Sequence, residues 1–278
     1  MDIGISVFPT DQTIGVVDLA REIERRGFES LWLTEHTHIP VHRAPNSPAG
    51  GDLAEFYART LDPFVGLTAA AMATSRIRLG FGILLIVQRE PIATAKALAS
   101  LDRISGGRLM CGVGAGWIPE EIANHGTIPS SRFKVLRERV LAMREIWTED
   151  EAEYHGDFVD FDPIWSWPKP LQRPFPLFIG GNTANTLRRV IEAGEGWFPV
   201  GNDPAARPQL IEQIAEFRRM CEEAGRGHLP VTIYGPEPSL AALDELRAGG
   251  VDRVVLTLSQ ESTDAARADL DSFARLLD

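Results

Sequence analysis

Glu35, His36 and His38 stand together in the stretch LTEHTHIP, residues 33–40. Imidazole changes charge near neutrality and is a common metal ligand. The stretch therefore allows a metal site, a proton-handling site or the polar rim of a cofactor pocket. Two histidines one residue apart point to opposite sides of an extended chain. No second cluster of His, Cys or Asp stands out to complete a coordination sphere. Cys111 and Cys221 lie in separate apolar segments without C-x-x-C spacing, which disfavours a thiolate zinc site or a disulfide framework. His42, His125, His155 and His228 fall in loops or turns and read as solvent-facing.

Two glycine-rich turns add a second kind of chemistry. In IGGNTANTLRR, an apolar run ends in Gly180 and Gly181, and Asn182 and Thr183 then open a helical pattern. Free backbone N–H groups at such a helix start, together with the helix dipole, favour a phosphate. The glycines let a ligand approach the backbone, and Thr183 adds a hydroxyl. The second turn, CGVGAGW, contains Gly114, Ala115, Gly116 and Trp117. Its G-x-G-x-G lacks the full dinucleotide fingerprint and the later acidic residue. Gly82, inside the apolar run FGILLIV, suggests a bulge or a close backbone approach.

These residues acquire a common location from the elements that carry them. Eight strand-like apolar runs begin near residues 3, 30, 77, 108, 176, 196, 231 and 253. A helix-like segment follows each one. The helix after the fourth run carries Phe133, Leu136, Val140, Met143 and Trp147 at helical spacing. The runs are apolar throughout rather than alternating, as expected of parallel strands covered on both faces. The pattern predicts a (β/α)8 TIM barrel over residues 1–278, with a doubly wound open sheet as the alternative. In a barrel the site lies at the C-terminal ends of the strands. Glu35, His36, Leu84, Gly114, Gly180 and Trp197 all lie at or near such ends. A proline-rich segment, residues 148–175, forms a long insertion between the fourth helix and the fifth strand. It contains a hairpin turning near residues 155–157. Trp165 and Trp167 within it are suited either to covering an apolar substrate or to packing the loop on the barrel.

Bulk properties narrow the setting. The 278 residues carry a net charge of −11, which disfavours a nucleic-acid surface. No apolar stretch approaches the ~20 residues of a membrane helix, and the N-terminus lacks a signal-peptide pattern. A cytoplasmic setting without membrane attachment is expected.

The stretches SLWLTEHTHIP, GFGILLIVQREPIATAKALASLDRISGGRLMCGVGAGW, YHGDFVDFDPIWSWPKPLQRPFPLFIGGNT and GEGWFPV together resemble the bacterial luciferase-like monooxygenase superfamily. The closest resemblance is to its oxidoreductases that use the deazaflavin coenzyme F420, and it covers nearly the whole chain. It implies a barrel with the flavin or deazaflavin across the strand ends. It also implies a non-proline cis peptide at Gly82–Ile83 backing the central ring, with Leu84 and Trp197 nearby. The phosphate loop maps onto Gly180, Gly181, Asn182 and Thr183. The fourth-strand loop maps onto Gly114, Ala115, Gly116 and Trp117.

Related enzymes place a histidine near the ring after the second strand, which makes His36 the catalytic candidate and His38 structural. Glu35 is suited to orienting His36 or to accepting a backbone N–H. Where the sugar-phosphate dehydrogenases of the superfamily carry a catalytic glutamate, this chain has Trp117. Glu120 and Glu121 follow outside the matching position, which argues against sugar-phosphate oxidation.

The leading expectation is hydride transfer between coenzyme F420 and a small organic substrate. An FMN-dependent reductase or monooxygenase is the alternative, and a non-catalytic cofactor-binding protein is the third reading. No basic run for a polyglutamate tail is present, so the choice of cofactor rests on likeness. A homodimer is the expected assembly, by the habit of relatives and the prevalence of two-fold pairing.

Overall fold

The structure, a computed structural model, describes residues 1–44 and 53–277. The prolines and glycines at positions 45, 48, 50 and 51 of the second strand's loop lie outside the described residues. Eight parallel strands form the central sheet: β1 (Asp2–Val7), β2 (Ser30–Leu33), β3 (Arg78–Leu85), β4 (Leu109–Gly114), β7 (Leu177–Gly180), β8 (Gly196–Phe198), β9 (Thr232–Tyr234) and β10 (Arg253–Thr257). The spatial order is β8-β7-β4-β3-β2-β1-β10-β9. Parallel bridges Trp197–Val231 and Val200–Tyr234 join the two ends, so the sheet closes as the predicted (β/α)8 barrel. The helices are α1 (Val16–Arg26), α2 (Pro63–Ala73), α3 (Pro91–Ile104), α4 (Pro119–Asn124), α5 (Arg132–Thr148), α6 (Ala184–Ala193), α7 (Arg207–Glu223), α8 (Leu240–Ala248) and α9 (Thr263–Phe273).

Local chemistry sets the helix ends. Asp62 and Glu90 each accept two backbone N–H groups ahead of Pro63 and Pro91, and Thr183, Ser239 and Ser262 cap α6, α8 and α9. Gly27 ends α1 with φ of +89°, a conformation that favours glycine.

Strand alternation sorts the apolar side chains into two cores. Leu31, Leu33, Cys111, Val113, Ile179 and Trp197 face the helices. Trp32, Met110, Phe178, Phe198 and Val255 fill the barrel interior, with Ile83 and Tyr234 packed on them. The bulk of Trp32 fits because its neighbours on β1 and β3 are glycines. A methyl on Gly80 would sit 2.2 Å from Trp32 Cε3, and one on Gly4 would sit 2.9 Å from Trp32 Nε1.

The β3–β4 register breaks where Gly82 stands. Phe81 pairs with Cys111 but Leu84 pairs with Val113, so two residues of β3 face one of β4. This is a β-bulge, and the Gly82–Ile83 peptide within it is cis.

Between α5 and β7, β5 (Ala152–His155) and β6 (Asp160–Ile164) form an antiparallel hairpin. Three buried side chains fix this segment. Glu138 of α5 accepts the backbone N–H groups of Asp157, Phe158 and Val159. Asp102 of α3 accepts those of Leu171 and Gln172. Lys169 donates to the carbonyls of Ile146 and Glu149 at the end of α5. Trp165 and Trp167 are 78% and 52% exposed. Their partners are Glu151, Lys96 and Lys169, and none of these lies at the strand ends.

Candidate functional site

The C-terminal ends of β2, β3, β4 and β7 bring together most of the predicted residues. His36 follows β2, and its side chain is 5% exposed. Its Nδ1 lies 2.9 Å from Glu121 Oε2, and the Glu121 carboxylate is fully buried. A carboxylate only accepts, so Nδ1–H donates and Nε2 is left as the acceptor nitrogen. No protein partner for Nε2 occurs among the described residues. The second Glu121 oxygen, Oε1, is also buried and unpartnered.

The imidazole is edge-on to two rings, Tyr57 at 5.3 Å and Trp117 at 5.8 Å between centroids. Tyr57 in turn contacts Trp117, Phe8 and Phe56. Tyr57 lies on a 3-10 turn, Glu55–Arg59, which is tied to the exit of β1 by the Thr10–Thr60 bridge and by the Leu61 N–H to Pro9 carbonyl bond of 2.8 Å.

Glu35 turns away from His36. Its Oε2 accepts the Leu85 N–H at 2.5 Å, and its Oε1 accepts Arg89 Nε at 2.6 Å. Burial pushes this carboxyl up, against the opposing pull of the Arg89 guanidinium. Glu35 thus braces the exit of β3 and is a backbone anchor. His38 lies outside the mouth, where its Nδ1 meets Thr37 Oγ1 at 2.9 Å and its Nε2 meets Asn124 Nδ2 at 2.9 Å. His125, exposed on the same face, bonds Thr37 Oγ1 at 2.7 Å.

Ile83 joins the glycine turns. A methyl on Gly114 would fall 2.1 Å from Ile83 Cδ1, and one on Gly180 would fall 3.3 Å from it. The absence of side chains on β4 and β7 is what lets the β3 bulge reach into the mouth. Gly82 backs onto Trp32 and Phe198. Leu84 and Ala115 belong to the helix-facing core, so they support this floor from behind. Gly116 has φ of +72°, which favours glycine, and it turns the chain toward Trp117.

At the β7 exit, Gly181 has φ of +122° and Thr183 caps α6 by accepting the Thr186 N–H at 3.3 Å. The backbone N–H groups of residues 182–185 have no acceptor among the described residues. The Asn182 side chain is tied to the exit of β8. Its amide exchanges two bonds with the Val200 backbone, at 2.7 and 2.9 Å. Trp197 is fully buried against Phe217 of α7 and donates Nε1–H to the Gly181 carbonyl at 2.7 Å. It shapes the loop between β7 and α6 from outside the barrel.

Sequence reasoning gave no role to Tyr57, Phe8 or Tyr234, and declined to assign one to Glu121. Tyr234 stands on the barrel floor, where Ser6 Oγ lies 3.4 Å from its hydroxyl. One readable signal was Pro119-Glu120-Glu121, a proline at a first helical position followed by acids in the first turn. Tyr57 had none, since its turn has no periodicity. No helix among the described residues is long and apolar enough to cross a membrane.

Comparison with known proteins follows from this geometry. A protein of Mycobacterium tuberculosis described as uncharacterised is 38% identical over 285 aligned residues, which cover 100% of this chain and 99% of that protein. The crystal structure of a Streptomyces bottropensis monooxygenase superposes with a TM-score of 0.82 at 22% identity, covering 100% of this chain and 98% of that one. An F420-dependent secondary alcohol dehydrogenase, in complex with an F420-acetone adduct, gives a TM-score of 0.78 at 18% identity, covering 99% and 98%. At these identities the two structures share the fold. The family model for luciferase-like monooxygenases matches residues 8–245, nearly the whole barrel, and the chain belongs to that family.

Proposed function

We propose that this protein is an oxidoreductase that binds coenzyme F420 and passes hydride between it and a small organic substrate. The observation that carries the reading is His36, fixed on a buried carboxylate in the same mouth as the Ile83 bulge and the open start of α6. The residues fit such a cofactor. The unpartnered N–H groups of residues 182–185 suit a phosphate. Ile83 and Gly180, partly exposed over the buried Gly82 and Gly114, offer an apolar seat. Glycine at 116 keeps the turn between that seat and Trp117 narrow.

A bound deazaflavin supplies a ring carbon that accepts or donates hydride. The protein supplies position and a proton path. Glu121 fixes the His36 tautomer, and Nε2 takes the hydroxyl proton of an alcohol as its carbon gives up hydride, or returns that proton in the reverse direction. Tyr57 and Trp117 exclude water from the imidazole. The likeness in fold to an F420-dependent alcohol dehydrogenase supports this reading.

FMN is the second reading, supported by the likeness in fold to a monooxygenase. Its phosphate and ring would use the same loop and seat. Titration of the protein with F420 and with FMN, followed by cofactor fluorescence, separates the two. Tighter binding of F420 is expected, and preference for FMN would reverse the assignment.

A further inference from the structure

Phe8, Phe56, Tyr57 and Trp117 belong to neither hydrophobic core. They form a third apolar cluster, half-buried, at the C-terminal mouth. Phe8 and Phe56 lie 4.8 Å apart and tilted, Phe8 and Tyr57 4.9 Å apart and edge-on, and Phe56 and Tyr57 4.5 Å apart and stacked. His36 is the polar group set against this wall, through its contacts with Tyr57 and Trp117.

Two arginines near the wall are already in ion pairs. Arg59 pairs with Glu55 and Asp11. Arg89 pairs with Glu35 and Asp62. Arg43 donates to the Pro40 carbonyl, and it helps hold the Glu120 carboxyl low, after that group's backbone hydrogen bonds. Among the described residues, no Lys or Arg stacks over the rings of the wall; the cations that do stack lie over Phe64, Phe133, Trp167 and Phe217. A phosphate or carboxylate placed against it would lose its hydration without a cation in return, and it would meet Glu121 behind His36. The open starts of residues 182–185, which suit an anion, lie at β7, whereas the wall is built from the exits of β1, β2 and β4.

We infer that the substrate carries no anionic group and that a flat aromatic or conjugated group in it adjoins the reacting alcohol or carbonyl carbon. The aromatic wall takes the flat group in edge and face contacts, and His36 Nε2 meets the reacting oxygen. This inference rests on the proposed function, because it assigns the wall to the substrate and the glycine seat to the cofactor. It separates this chain from enzymes that take phosphorylated sugars.

The test uses the cofactor-loaded full chain and three probes: 1-phenylethanol, 4-(1-hydroxyethyl)benzoate and 2-propanol. Binding is read from Trp fluorescence and from proton NMR line broadening of the probes, independently of turnover. 1-Phenylethanol is expected to bind at least about ten-fold more tightly than the benzoate and than 2-propanol. Phe56→Ala and Tyr57→Ala should each weaken 1-phenylethanol about three- to ten-fold without changing cofactor affinity, and Tyr57→Phe should retain binding. Equal or tighter binding of the benzoate, or of 2-propanol, overturns the substrate class. So does unchanged affinity in both alanine variants, checked for folding by circular dichroism. Failure of the protein to bind either F420 or FMN overturns the proposed function itself, and the substrate class with it.

Discussion

At the residue scale the decisive pair is His36 and Glu121. An imidazole that must accept a proton at one nitrogen needs its other nitrogen committed, and the buried Glu121 carboxylate does this at 2.9 Å. If His36 moves the proton, His36→Ala lowers turnover of the cofactor-loaded enzyme by about 10²–10⁴-fold, the usual worth of a positioned acid–base group. Cofactor affinity, measured by fluorescence titration, should change little. A large loss of affinity with unchanged turnover would make His36 a wall of the pocket. Glu121→Gln keeps the shape but removes the obligate acceptor. Nitrogen-15 NMR of the imidazole should then show both tautomers, where the parent shows Nδ1–H alone, and turnover should fall with the protein still folded. The histidine was legible from its place after the second run and from the family resemblance. Its partner was not, because they are 85 positions apart and only the return of α4 across the mouth joins them.

At the element scale, bulges, short turns and buried anchors do the positioning. The β3 bulge reaches the mouth because β4 and β7 present glycines to it. Gly114→Ala places a methyl 2.1 Å from Ile83 Cδ1, so the bulge must shift. The expected result is weaker cofactor binding and a stability loss of about 1–3 kcal/mol, typical of overpacking, measured by urea denaturation. Unaltered cofactor affinity would detach the bulge from the site. The hairpin of the insertion is anchored on Glu138, which is 9% exposed and accepts three N–H groups. Glu138→Ala should cost about 2–3 kcal/mol, because those donors lose a charged acceptor. Hydrogen exchange at residues 157–159 should accelerate ahead of the barrel strands. The periodicity of α5 was readable, but Phe133 of the predicted stripe is 42% exposed and lies between Arg132 and Arg189. Spacing identifies a helix, whereas its neighbours decide how wide its buried face is. The short α4 and the 3-10 turn at Glu55–Arg59 have too few turns to show a period. Two of the residues left without a role, Glu121 and Tyr57, lie on them.

At the scale of the whole molecule, barrel closure rests on the seam between β8, β9 and β10. Asp252, just before β10, accepts the Val231 N–H at 2.7 Å, Arg218 Nη2 at 2.8 Å and a nitrogen of His228 at 2.7 Å. Burial alone would raise its carboxyl, but the bonds from Val231, His228 and Arg218 outweigh burial and hold it below the usual range. A carboxyl depressed in the folded state stabilises the fold above its unfolded pKa of about 3.9, and that stabilisation is lost as pH falls through the lower folded value. Asp252→Asn should therefore lower the urea midpoint at pH 7 and differ progressively less from the parent below about pH 4. A gap independent of pH would assign the effect to packing. By itself, the amino-acid sequence determined the eight βα units, the family and the glycine turns, because strand runs and turns are encoded by neighbours along the chain. Only the tertiary structure decided that Glu35 braces β3, that Trp197 faces α7, that Glu121 meets His36 and that four rings from three loops form one wall. Each of these depends on which side of a strand or short turn a side chain leaves, and on what closure of the barrel brings opposite it.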